Sequence, residues 1–121
     1  MDEQIKQALR TDRVIDMTTI GRASGQPRRL EMWFHNLDGQ IYITGTPGAR
    51  DWYANLLANP SFTFHLKGSA TADLPAHATP ITDDAERRSI LRRVLANIDR
   101  SESELDRWVA ESPLVAVAFE D

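Results

Sequence analysis

Between residues 13 and 44 the sequence sets short β-forming runs between tight turns, a pattern that little besides an antiparallel meander satisfies. "RVIDMTTI" is dominated by β-branched residues. "RRLEMWFHN" alternates, with Leu30, Met32 and Phe34 on one face and Arg29, Glu31, Trp33 and His35 on the other. "LDGQ" is a tight-turn signal leading into "IYITG". Further on, "SFTFHLKG" places Phe62, Phe64 and Leu66 on one face, and "LVAVAF" ends the chain as a nearly all-apolar strand. "SATADLPAHATPI" alternates weakly; Pro75 and Pro80 remove two backbone donors, which predicts an edge strand or a bulge.

Helical patterns interrupt these strands. Ile5, Ala8 and Leu9 mark a short amphipathic helix over residues 2–11. In "ARDWYANLLANP", Trp52 and Leu56 fall at helical spacing, and Asn59-Pro60 stops the helix because proline disfavours the helical region for its predecessor. Thr82 or Asp83 can cap a third helix, whose apolar stripe is Ile90, Leu91, Val94, Leu95 and Ile98. Ser101 and Glu104 match a second capping box, followed by Leu105, Trp108 and Val109. With 121 residues the chain suits one domain spanning 1–121. An α+β fold follows, built on a small, partly open barrel of five or six strands, because short strands need their edges protected.

Composition narrows the function classes. The absence of cysteine removes disulfides, thiolate metal sites and cysteine nucleophiles. The charged start "MDEQIKQALRTDR" lacks the apolar stretch of a signal peptide, and no apolar run approaches a membrane span, so a cytoplasmic protein without an integral membrane segment is expected. A formal net charge of −4 argues against a nucleic-acid partner. Against that background Arg22, Arg28 and Arg29 cluster in "TTIGRASGQPRR", with Arg50 beside a second loop. A local basic site on an acidic protein fits a small anionic ligand.

Within "TTIGRASGQPRR", Gly21 and Gly25 permit positive φ and close backbone approach, so successive N–H groups can form an anion-binding nest. Arg22, Ser24, Arg28 and Arg29 can add donors suited to phosphate or carboxylate oxygens. The same composition also describes an ordinary solvated turn. In "ITGTPGARDWYANL" a glycine-containing loop opens onto a helix N-terminus, where free N–H groups attract anions; Trp52 can equally be a core anchor there, and Asn55 a solvated polar residue. His35, His65 and His77 all fall on strands without metal-ligand spacing, and the serines lack a nucleophile-elbow motif. With no acid–base constellation in view, the chemistry of an enzyme here would have to reside in a bound cofactor.

Taken together, "TTIGRASGQPRR", "GTPGARDWYANLLANP" and "SFTFHL" resemble the deazaflavin-dependent nitroreductase and quinone reductase family, best over residues 14–67. The resemblance implies a split β-barrel, of the flavin-binding pyridoxamine-phosphate-oxidase type, with about six mainly antiparallel strands and flanking helices. It implies coenzyme F420 as cofactor, a deazaflavin with a phospholactyl-polyglutamate tail, whose reduced form donates a hydride to a quinone, nitroaromatic or activated enone. Carried onto this chain, the tail would lie against Arg22, Ser24, Gln26 and Arg28. Thr46, Gly48 and Ala49 would line the ring or phosphate through backbone contacts, Trp52 and Asn55 would support the pocket, and Tyr53 is the candidate proton donor. Ala23 stands where members commonly have lysine, and "NIDRSESELDRW" has none of the tyrosines that close the substrate pocket in the best-known members. Two alternatives remain beside this reading: an FMN-binding split-barrel reductase, and a non-catalytic carrier of a cofactor or lipid. Fold analogy adds a homodimer as the expected assembly.

Overall fold

In the computed structural model, which describes residues 1–120, the strands β1 (Val14–Ile20), β2 (Pro27–Leu37) and β3 (Gln40–Thr44) form the expected meander. After helix α2 (Asp51–Ala58), strands β4 (Ser61–Lys67) and β5 (Thr71–Pro80) form a hairpin. Helix α3 (Asp84–Asn97), a single 3₁₀ turn (Glu102–Glu104) and helix α4 (Leu105–Glu111) lead into β6 (Leu114–Phe119). A short helix, α1 (Glu3–Thr11), precedes them all and is capped by Asp2, whose carboxylate accepts from the Gln4 N–H at 2.6 Å.

The barrel is closed, not partly open as the strand pattern alone predicts. Its order is β1-β2-β3-β6-β5-β4, and β4 returns to β1 with Met17 opposite Phe64. Every pairing is antiparallel. Closure leaves no edge for β5, so its prolines need another explanation. Pro75 lies just outside the run paired with β6, and Pro80 lies beyond the run paired with β4. Each proline therefore has a ladder on one side only, where a missing N–H is tolerated.

Inward-facing Ile15, Met17, Phe34, Ile43, Phe64, Leu66 and Val115 fill the barrel, with α1 and α2 adding Leu9, Trp52 and Leu56. A second core lies between the helical pair and the outer face of β3 and β6, where Leu91, Val94, Leu105, Trp108 and Leu114 pack with Tyr42 and Ala116. Asp83 caps α3, accepting from the Glu86 N–H at 2.9 Å, as the sequence pattern predicts. Ser101 also caps, but its hydroxyl takes the Ser103 N–H, so a 3₁₀ turn precedes α4. Arg87 ties the two helices together by donating to Val109 O at 2.9 Å, Ile81 O at 2.8 Å and Ser112 O at 2.5 Å. The bonds to Val109 and Ser112 satisfy carbonyls that the end of α4 leaves open.

Candidate functional site

The turn joining β1 to β2 is built by its own small residues. Gly21 N–H donates to Gln26 O at 2.8 Å, Gly25 N–H to Gly21 O at 2.9 Å, and Gln26 N–H to the Ser24 hydroxyl at 3.1 Å. Gly25 sits at φ +68°, a conformation that favours glycine, and a Cβ at Gly21 would lie 2.5 Å from Ser24 Oγ and displace the hydroxyl that holds Gln26 N–H. Helix α2 then holds the turn in place through Asn55, which is only 4% exposed. Its Oδ1 accepts from Arg22 N–H at 3.0 Å and its Nδ2 donates to Thr19 Oγ1 at 3.1 Å. Asn55 is thus a buried bracket between β1, the turn and α2, not a solvated polar residue.

Around this bracket lies a cleft of about 500 Å³ lined by Arg22, Ser24, Arg28, Arg50, Trp52 and Asn55, among others. Arg28 is in register with Thr19, so it shares the inward side of β2 and rises at the barrel mouth. It is exposed and, among the described residues, makes no ion pair or hydrogen bond. Arg29 also borders the cleft, yet its guanidinium is taken by Asp16 at 3.0 Å on the outer face. Arg22 reaches Asp51 at 3.6 Å, a weak, exposed pair at the rim that an incoming anion can displace. Arg50 is committed to the neighbouring loop, donating to Ala49 O at 2.9 Å, Thr46 O at 3.0 Å and Thr46 Oγ1 at 2.7 Å. Gly48 sits at φ +128° in that loop, with space for a Cβ closed off by Arg50 Nη1 at 3.0 Å.

The site residues expected from the sequence are divided among three openings. Arg22, Ser24, Arg28, Trp52 and Asn55 share the arginine cleft. Gln26 serves the turn through its backbone. Gly48, Ala49 and Tyr53 line a neighbouring cavity of about 600 Å³ with Arg87 and Ser112. Tyr53 packs edge-on against Trp52, ring centroids 6.0 Å apart. Thr46 lines a third cavity, of about 350 Å³, between the outer face of β2 and the late helical region, with Trp33, His35, Ile98, Arg100 and Trp108. The loop from Gly45 to Arg50 is therefore a wall common to all three.

The histidines have distinct settings. His65, buried, is hydrogen-bonded to Thr18 Oγ1 and Asp73 Oδ1, each at 2.7 Å, and its bond holds the Asp73 carboxyl below the usual range. Nearby, Lys67 and Arg29 hold the Asp16 carboxyl low in the same way. His35 is 8% exposed, and burial followed by the charge of Arg13 lowers its pKa to about 4. Its imidazole is neutral at pH 7. Sequence reasoning left His35 as a strand residue of the outer face; the covering late helical region is what makes it buried. No group of potential metal ligands occurs among the described residues.

The model of the F420H(2)-dependent quinone reductase family matches residues 2–112. The chain belongs to that family. It is accordingly an F420-dependent reductase, with coenzyme F420 as its cofactor. Among solved structures, a conserved hypothetical protein from Mycobacterium tuberculosis is similar at TM-score 0.79 and 20% identity, covering 100% of this chain and 82% of that one. An F420 reductase is similar at TM-score 0.75 and 18% identity, covering 100% of this chain and 97% of the other. A putative pyridoxamine 5'-phosphate oxidase from Listeria innocua is similar at TM-score 0.74 and 13% identity, covering 98% of this chain and 93% of that one. At such identities these structures show a common fold, the split barrel. No helix among the described residues is long and apolar enough to cross a membrane.

The arginine cleft fits the cofactor's anionic end. Among the described residues Arg28 has no protein partner, and beside it the Arg22 guanidinium reaches only Asp51 at 3.6 Å and Asn55 Oδ1 at 3.4 Å, at a turn whose backbone is bonded to Asn55. Charge-assisted bonds to phosphate or carboxylate are the strong use of such arginines.

Proposed function

We propose that the protein reduces quinones, holding the phosphate and glutamate tail of coenzyme F420 in the arginine cleft and its ring along the Gly45–Arg50 loop. The observation that carries this reading is Arg28, an exposed arginine without a partner among the described residues, aimed by the β1–β2 register into the cleft. Arg22 and Ser24 supply further donors, and Gln26 keeps the turn closed. Arg29 does not replace the cation missing at Ala23, because Asp16 occupies it.

When bound in reduced form, the coenzyme supplies a hydride. The chain's part is to bind, orient and exclude water. Asn55 fixes the turn against α2, Trp52 gives the cleft an apolar wall, and Arg50 holds Thr46, Gly48 and Ala49 in one loop conformation. Tyr53 packs edge-on against Trp52 and lines the neighbouring cavity with Gly48 and Ala49, beside the loop we assign to the ring.

Turnover decides the matter. Anaerobic mixing with reduced coenzyme F420 should regenerate oxidised coenzyme in proportion to added menadione, with a nitroaromatic reduced more slowly. Coenzyme that binds but is never oxidised by either acceptor would make the protein a carrier and overturn the reductase reading.

A further inference from the structure

The third cavity has features that cofactor binding in the arginine cleft does not use. Its walls are aromatic, from Trp33 and Trp108, and Arg100 lies over the Trp108 ring at 5.6 Å from the centroid. Two of the residues that line it, Trp108 and His35, have side-chain nitrogens without a hydrogen bond among the described residues. The Trp108 indole N–H is buried with no hydrogen bond. The His35 imidazole, nine-tenths buried, makes none among the described residues. An imidazole without a protein partner at the wall of an opening can pair with a ligand or water there.

His35 also faces a second, smaller opening. A polar cavity of about 140 Å³, lined by Arg10, Thr11, Asp12, Arg13, Asn36 and Asn97 together with His35, lies against the same residue. One imidazole thus borders an aromatic cavity and a polar one. Among the described residues no other titratable side chain lines both.

We propose that His35 is the proton relay for the acceptor: a planar quinone lies in the aromatic cavity between Trp33 and Trp108, with one carbonyl oxygen within reach of His35. This inference rests on the quinone reductase reading and adds the acceptor's seat and its proton path. The acceptor gains a hydride and is left with an oxyanion; the imidazole N–H donates its proton there. The other ring nitrogen takes a proton from water in the polar cavity. A neutral imidazole has one donor and one acceptor nitrogen, which is what a relay requires. The proton released when the reduced coenzyme is oxidised returns to water, so the sum is acceptor plus two electrons and two protons. The imidazole need not stay charged, in keeping with its depressed pKa.

The test has a binding arm and a rate arm. In NMR spectra of the parent protein without coenzyme, menadione should shift the His35 ring and Trp108 indole resonances and leave His77 unmoved. His35→Ala should bind coenzyme F420 as the parent does, reduce menadione about a hundredfold more slowly, as loss of a positioned proton donor does, and regain rate when free imidazole is added. His35→Gln, which fills the space without relaying a proton, should be equally slow and insensitive to imidazole. Unmoved His35 and Trp108 resonances, or His35→Ala turning over at the parent rate, would overturn the relay and leave the reductase reading standing. A parent that never oxidises reduced coenzyme F420 would overturn both.

Discussion

Replacing Arg28 by alanine is expected to weaken coenzyme F420 binding about ten- to a hundredfold, the effect of losing a charge-assisted hydrogen bond of roughly 1.5–3 kcal/mol. The reasoning is local. Arg28 shares the side of β2 that faces the barrel mouth, and no carboxylate or carbonyl among the described residues competes for its guanidinium. For the same reason the substitution should leave the melting temperature nearly unchanged, since an exposed side chain without partners contributes little to folding. Arg29→Ala is the matched control: its guanidinium is paired with Asp16, so its loss should disturb that ion pair and change coenzyme affinity much less. Fluorescence titration of both variants checks the pair of expectations. Equal losses would mean that the cleft acts as a diffuse positive field; no loss for Arg28→Ala would remove its assigned role.

The second large effect is on acid stability and comes from His35. Its folded-state pKa is about 4, whereas an unfolded histidine titrates near its ordinary 6.5. Between those values the unfolded chain binds the proton and the folded one does not, so stability is full above pH 6.5 and falls as the pH drops toward 4. The loss attributable to this one group is about 3 kcal/mol, at 1.36 kcal/mol per pKa unit. Urea unfolding at pH 7 and pH 4.5 should show most of it, and His35→Gln should flatten the slope across this range. A variant as acid-sensitive as the parent would place the cause elsewhere, for example in carboxylates such as Asp73 and Asp16. Their lowered pKa values also make folding favourable above the ordinary carboxylate range and less so as pH falls through the folded pKa.

Much of this architecture is legible from local pattern. The alternation in "RRLEMWFHN" assigns Leu30, Met32 and Phe34 to one face and Trp33 to the other, and Trp33 is indeed half exposed on the outer face of β2. The Asp83 cap and the stop at Asn59-Pro60 are short-range chemistry and fall where the residues place them. Closure of the barrel is different in kind. It depends on Met17 meeting Phe64 and Ala78 meeting Val117, pairings between distant segments whose register no local periodicity encodes. Pro75 and Pro80 then mislead, because a proline excluded from a ladder on one side looks the same in sequence as a proline on an edge.

The site divides in the same way. The glycines and the arginines of the β1–β2 turn are visible in "GRASGQPRR", since turn chemistry is carried by adjacent residues. That Arg50 stitches Thr46 and Ala49 into a partition between three cavities is not visible, for it depends on how a loop folds back on its own arginine. His35 is hidden for a similar reason. On its strand it shares a face with Glu31 and Trp33, and Ile98, Arg100 and Trp108, far along the chain, complete the cavity it faces.

The most direct test of the account is a titration that separates the ring of the coenzyme from its tail. The purified protein would be titrated, at physiological salt, with coenzyme F420, with the deazaflavin nucleoside that lacks phosphate and tail, and with FMN. If the arginine cleft holds the anionic end, coenzyme F420 binds tightly, the nucleoside binds at least tenfold more weakly, and Arg28→Ala narrows that difference. Equal affinity for the coenzyme and the tail-less nucleoside, unaffected by Arg28→Ala, would contradict it and return the β1–β2 arginines to the solvent.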